Sequence, residues 1–329
     1  MNNIENRVAR GFLLNLDTIA TDLVHSFGLK HEKRTENLND PLLRWLDFRL
    51  RYVDPKPRKV LLSNKFPKKM SEDVNRALTH VIHLIERGEN INPYQGKGLV
   101  LHHDISGTKR QKRTDLLWAD WGIIHLHLTE IPICWLLFGI PADDFFAVID
   151  IRSHGEDDVF SNPELMEIMV KSWPQMMERR ELKGVISPSE SDVFDSKEHK
   201  RLRQSGVSAL IAIGRKVYVP PGMGVTTAST PVRVTLAMDA ARKYVRDLAS
   251  LVCISDGEFQ AEVRARGIEE PCFTLCMTPR GMAVYELHLD KAWLLPRKKA
   301  GYESNYLADL QGLVAPEWAR ERLFASARD

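Results

Sequence analysis

Residues 113–158 read RTDLLWADWGIIHLHLTEIPICWLLFGIPADDFFAVIDIRSHGEDD, three apolar runs punctuated by TEIP and GIPADD. From Trp121 to Ser153 the pattern is period 2 or continuously apolar, which predicts strands. Alternate residues of a strand share a face, so Ile123, His125 and His127 point one way and Ile124, Leu126 and Leu128 the other. The same parity groups Asp150, Arg152 and His154 on one side of FFAVIDIRSH, with Ala147, Ile149, Ile151 and Ser153 opposite. The intervening IPICWLLFGI is apolar on both faces. Short connections predict an antiparallel meander of three strands. With the polar faces on one side of it, His125, His127, Asp150, Arg152 and His154 converge.

Outward from this stretch, the N-terminal side reads as helical. Phe12, Leu16, Ile19, Leu23 and Phe27 recur at three-to-four spacing within 5–27, ending near Gly28. Asp40-Pro41 supplies a cap and a first-turn proline for a helix through LLRWLDFRLRYV, and DPKPRKVLLSNKF breaks it. Ser71 opens SEDVNRALTHVIHLIERG, whose Val74, Leu78, Val81 and Ile85 form a stripe stopped by Gly88. Beyond the meander, SNPELMEIMVKSWPQMMERRE predicts a helix packed on the sheet, and the polar stretch 187–206 is a candidate linker. VSALIAIGRKVYVPPG then predicts a hairpin at Gly214-Arg215, RVTLAMDAARKYVRDLASLV a helix, and PCFTLCMTPRGMAVYELHL a second hairpin. The tail turns helical from Pro316 and is expected to be peripheral. The expected fold is α+β: a helical plus antiparallel-sheet domain at 1–186, the linker, and a second, smaller α+β domain at 207–329.

The 329 residues are 43% hydrophobic and 27% charged, a globular composition that argues against disorder. No run reaches the roughly 18 apolar residues of a membrane span, and the N-terminus lacks a signal-peptide pattern. The expectation is a cytoplasmic protein with no membrane partner. Four cysteines, Cys134, Cys253, Cys272 and Cys276, sit mostly in apolar runs and read as buried thiols. The net charge of +2 conceals a local excess: residues 29–70 hold twelve Lys/Arg against five Asp/Glu. Lys109, Arg110, Lys112 and Arg113 follow in GTKRQKR. Such runs ease approach to a phosphate backbone by releasing counterions, and they also serve as ordinary solvated faces.

Two chemistries suit the histidines. Two imidazoles with an arginine can cleave RNA by acid–base catalysis, the guanidinium holding the charged phosphate; His125, His127, Arg152 and His154 are that catalytic set, with no cofactor. Alternatively His125 and His127, spaced H-x-H, ligate a divalent metal ion with Asp150 or His154 as a third donor. A third reading makes the chain a noncatalytic nucleic-acid-binding or regulatory module with structural histidines. His102 and His103 in LHHDISG, with Lys109, Arg110, Lys112 and Arg113, are candidate substrate contacts. His80 and His83 share a helix face without an acidic or cysteine partner and read as structural. Gly222 and Gly224 in PPGMGVTTAST could cradle a phosphate on backbone amides, although no P-loop lysine accompanies them and a glycine-containing hairpin loop fits better.

DWGIIHLHL followed by an apolar strand and FFAVIDIRSH resembles a DWGI-x-H-x-H-L motif of uncharacterised bacterial proteins, over roughly residues 90–175. More loosely, helices leading into an antiparallel run with a terminal histidine resemble the RelE-type ribonuclease toxins. That resemblance implies a metal-independent endoribonuclease of toxin or defence type, RNA as substrate, and an inhibitory protein partner. The matching positions are Arg152 and His154 on the last strand and His125 or His127 on the first. Those toxins are small and strongly basic, whereas this chain is several times longer and nearly neutral, and a shared topology hosts many activities.

Overall fold

In a computed structural model the structure describes residues 3–29, 31, 40–95, 99, 115–128, 134–187, 194–296 and 305–325. Helices and small, mainly antiparallel sheets make an α+β fold, as the patterning predicts. The chain divides into two compact units, one of residues 50–233 and one joining 1–49 to 234–329.

In the central unit, β1 (Lys59–Leu62), β2 (Ile124–His127), β3 (Trp135–Pro141) and β4 (Phe145–Ser153) form one sheet in the order β1-β4-β3-β2. The meander β2-β3-β4 is antiparallel, as expected, and β1 adds a fourth strand parallel to β4. Reading 54–66 as a plain breaker misses β1, a four-residue strand among prolines whose pairing partner lies some eighty positions ahead. Helix α3 (Glu72–Arg87) packs on β1, with Val74, Leu78, Val81, Leu84 and Ile85 buried. Ser71 Oγ accepts from Val74 N–H at its start, and Gly88 ends it in the left-handed region.

The bulge between Phe138 and Gly139 changes the parity of β4. Phe138 pairs with Asp150 and Gly139 with Val148, so Ile149 is the extra residue. Ala147 and Ile149 therefore join Leu136 and Phe138 in one apolar cluster, on the side that strict alternation gives to Asp150 and Arg152 alone. Gly139 is required there, because a Cβ would lie 2.3 Å from the Phe146 ring and 2.8 Å from the Ala147 carbonyl oxygen. Helix α5 (Glu164–Ser172) covers this cluster with Leu165, Met166, Ile168, Met169 and Val170. Pro174 then starts the single turn α6 (Pro174–Met177). Before the sheet, α4 (Leu116–Trp121) is a short helix capped by Asp115, so the DW of the motif is helical and the strand begins at Ile124.

Residues 187–206 do not separate the units. Asp195 forms a capping box with Glu198 and starts α7 (Ser196–Gln204), whose His199 and Arg203 are buried within the central unit. A second sheet, β5 (Glu181–Ile186), β7 (Lys216–Tyr218) and β6 (Ile211–Ile213), contains the expected hairpin at Gly214-Arg215.

The other unit is discontinuous, so the boundaries 1–186 and 207–329 do not coincide with it. α1 (Asn3–Ser26) packs on α2 (Pro41–Arg49) and on β8 (Phe273–Thr278), with Phe12, Leu16 and Leu23 fully buried. Asn15 Oδ1 accepts from Leu275 N–H, tying the N-terminal helix to a strand 260 positions later. α8 (Val232–Val252) and α9 (Glu258–Ala265) precede the hairpin of β8 and β9 (Gly281–Glu286), to which β10 (Lys291–Leu294) adds. The tail is not peripheral. In α10 (Tyr306–Val314) and α11 (Glu317–Ala325), Leu310, Val314 and Ala319 are fully buried, and Trp45 Nε1 donates to the Val314 carbonyl at 2.6 Å. No helix among the described residues is long and apolar enough to cross a membrane. The cysteines are free thiols, three half-buried and Cys272 exposed, rather than core residues.

Candidate functional site

Asp115 Oδ1 accepts from Trp118 N–H at 3.0 Å, fixing the entry of α4, and Gly122 turns the chain in the left-handed region toward β2. On β2, Ile124 and Leu126 are buried while His125 and His127 are half-buried. Cross-strand partners share a face, so the register His125 to Phe138 to Asp150, and His127 to Leu136 to Arg152, puts all six on one side.

Three of the predicted histidines come together there. The His125 and His127 rings lie 5.5 Å apart and the His127 and His154 rings 5.7 Å apart, so His127 is the middle member. Phe160, from the 3-10 turn Val159–Ser161, packs edge-on against His125 at 5.0 Å and His154 at 5.9 Å. His154 itself is exposed, at the end of β4, and its backbone N–H donates to the Cys134 carbonyl at 2.8 Å. His125 Nδ1 is buried with no hydrogen-bond partner among the described residues, and the Asp115 carboxylate stands 3.7 Å from it. His127 Nδ1 meets Cys134 Sγ at 3.1 Å. Burial, then the two neighbouring imidazoles, hold the His127 pKa below the ordinary imidazole value. The middle ring thus favours its neutral form more than a free imidazole does.

Arg152 is on the same face, but its guanidinium is engaged. Nε donates to Asp150 at 2.7 Å, Nη2 to Glu164 at 2.8 Å and Nη1 to Glu156 at 3.3 Å. Burial opposes its charge, yet the bonds to Asp150 and Glu164 outweigh that and raise its pKa. With three carboxylates around one cation, Arg152 holds the end of β4 to the start of α5 rather than offering itself to a phosphate. Asp150 is likewise committed, its other oxygen accepting from Ile151 N–H at 2.8 Å. Among the described residues no three His, Cys, Asp or Glu groups converge as a metal-holding set.

His102, His103, Lys109, Arg110, Lys112 and Arg113 lie outside the described residues. Among the described residues of the basic segment 29–70, Arg44, Arg51 and Arg58 are buried, and Lys56 and Lys65 pair with Asp143 and Glu164. The Gly222 and Gly224 amides do not cradle a phosphate. They donate to the Asp120 and Ala119 carbonyls at 2.8 and 2.9 Å, capping the C-terminus of α4, where a Cβ on Gly222 would fall 2.2 Å from the Ala119 oxygen.

A second ring of residues holds the cluster in place. Arg203 Nε donates to Asp120 at 2.7 Å, its Nη1 donates to the Phe160 carbonyl at 2.6 Å, and its guanidinium lies 3.7 Å from the Trp121 ring. Ser208 Oγ completes the Asp120 carboxylate at 2.5 Å. Arg233 covers Trp118 at 4.6 Å, its pKa pushed down to about 10 by burial. Asp115, Cys134, Phe160 and Arg203 are the residues that sequence reasoning misses. Cys134 alone carried a signal, since it shares parity with Leu136 and Phe138 on the histidine face. The chain matches no protein-family model, no curated protein and no solved structure.

Proposed function

We propose that the protein is a metal-independent endoribonuclease of toxin or defence type, acting in the cytoplasm, with His125, His127 and His154 as its catalytic groups. The observation that carries this is the three-imidazole row, with a depressed-pKa histidine between two others at 5.5 and 5.7 Å. His127 takes the proton of an RNA 2′-hydroxyl, and the 2′-oxygen bonds to phosphorus as the bond to the 5′-oxygen breaks. His154, exposed at the strand end, donates a proton to that leaving oxygen, giving a 2′,3′-cyclic phosphate and a 5′-hydroxyl. His125, backed by Asp115, faces the charge on the non-bridging oxygens. Arg152, engaged by carboxylates, braces the site in place of binding the phosphate. Lys109, Arg110, Lys112 and Arg113 are assigned to the RNA backbone, and an inhibitory protein is the partner expected of a toxin-type enzyme.

The test is incubation of the purified protein with single-stranded RNA and with its 2′-deoxy counterpart in excess chelator. Expected are cleavage of RNA only, cyclic-phosphate ends, and a loss of about 10²–10⁴-fold in His127→Ala. Cleavage that needs an added divalent ion would move the assignment to the H-x-H metal hydrolase. Inactivity of a folded wild-type protein on RNA and DNA would move it to the noncatalytic module.

A further inference from the structure

We infer that Cys134 is a positioning residue that fixes the tautomer of His127: its sulfur accepts the Nδ1 hydrogen and leaves Nε2 as the nitrogen with the free lone pair. The inference rests on the reading of His127 as the base. A neutral imidazole has one N–H, and whichever nitrogen bears it cannot take a proton. The partner of Nδ1 therefore decides whether Nε2 is a base or a donor.

The contact is short, 3.1 Å between His127 Nδ1 and Cys134 Sγ, and either atom could supply the hydrogen. The second contact of the sulfur resolves the choice. Cys134 Sγ also lies 3.7 Å from the Trp135 carbonyl oxygen, which can only accept, so the thiol hydrogen belongs there. One S–H cannot serve both neighbours, and both contacts are satisfied when Nδ1–H donates to sulfur. A thiolate–imidazolium pair is disfavoured, because burial and the flanking His125 and His154 rings oppose a positive charge on His127. Backbone bonds hold the sulfur in place. Leu128 N–H donates to the Trp135 carbonyl at 2.8 Å and His154 N–H to the Cys134 carbonyl at 2.8 Å, so Cys134 is clamped between β2 and β4 at the start of β3.

Nitrogen-15 NMR of the full chain at neutral pH reads which imidazole nitrogen carries the proton, with His127→Gln identifying the His127 signals. The expected result is an Nδ1-protonated neutral His127 in the wild type. Cys134→Ala shifts it toward Nε2–H, and Cys134→Ser, whose hydroxyl can accept and donate in the same two directions, retains Nδ1–H. In the cleavage assay Cys134→Ala lowers kcat about tenfold with KM unchanged, the effect of one lost hydrogen bond, and Cys134→Ser restores most of it. A wild-type His127 protonated at Nε2 overturns the inference without any variant, as does a tautomer indifferent to Cys134→Ala. A wild type that shows Nδ1–H yet cleaves no RNA upholds the role of Cys134 and removes only the nuclease reading.

Discussion

Each unit contains a sheet with a polar group on its buried side, and the two groups are treated oppositely. In the β10-β9-β8 sheet, Glu286 is fully buried and fully answered: Cys272 N–H and Leu289 N–H each donate at 2.7 Å, and His288 Nδ1 stands at 3.1 Å. Burial alone would raise its pKa, but these donors outweigh burial and lower it. In the β1-β4-β3-β2 sheet, Arg152 is answered in the same complete way, while the His125, His127 and His154 rings gather beside it. His125 Nδ1 is buried without a hydrogen-bond partner among the described residues. A buried polar group whose valences are all met strengthens a fold, whereas one left open costs stability. The contrast separates scaffold from site within one sheet face, with Arg152 on the scaffold side and its neighbours His127 and His154 on the other.

The sharpest way to break that division is Arg152→Met. If the arginine is scaffold, the variant leaves Asp150 buried and unpaired and lowers unfolding free energy by about 3–5 kcal/mol in urea titration. Retained stability with abolished RNA cleavage would instead return Arg152 to the site. Glu286→Ala removes the acceptor of two backbone N–H groups and should cost about 2–3 kcal/mol, with cleavage per folded molecule unchanged. A loss of activity without a loss of stability there would erase the distinction from the other direction. A smaller effect is expected from pH. Because the folded His127 pKa is depressed, the unfolded chain binds more protons between that value and the unfolded value of about 6.5. His127's contribution to stability should therefore rise with pH through that window, be lost as pH falls through it, and change no further below the folded value. His127→Asn should flatten the slope, and what persists is assigned to buried His199, whose pKa is lowered by burial and then by Arg203. The smallest effect is reserved for Lys56→Gln, which opens an ion pair to a nearly fully exposed Asp143 and should change stability by less than about 1 kcal/mol.

Local rules accounted for the elements that local forces build. The alternation around His125 and His127, the Ser71 and Gly88 ends of α3, and the two hairpins all follow from residues within a few positions of one another. The convergence of His154 with His127 followed as well, because a meander preserves parity across short connections. What was illegible depends on distant partners. Nothing within LNLDTIATDL says that Asn15 will answer a strand 260 residues away, so the discontinuous unit could not be drawn. The bulge at Phe138 and Gly139 inserts one residue into the parity of β4 and cannot be read from either strand alone. Asp150 shares the strand face of Arg152, but its other two carboxylates, Glu156 and Glu164, lie beyond the strand, the latter twelve residues on in a helix whose placement only packing specifies.

The long reach of Arg203 has a consequence in the time domain of synthesis. The meander bearing the histidines is local and can pair as soon as Ser153 leaves the ribosome. Its brace is not, for Arg203 meets Asp120 across 83 positions, and Gly222 caps α4 later still. At roughly 5–20 residues per second, those clamps follow the histidine strand by about 3 to 14 seconds. During that interval the rings are threaded on a sheet whose Phe160 wall and α4 entry are unbraced. The nascent chain therefore passes through a stage in which the imidazoles exist but their spacing is not yet set.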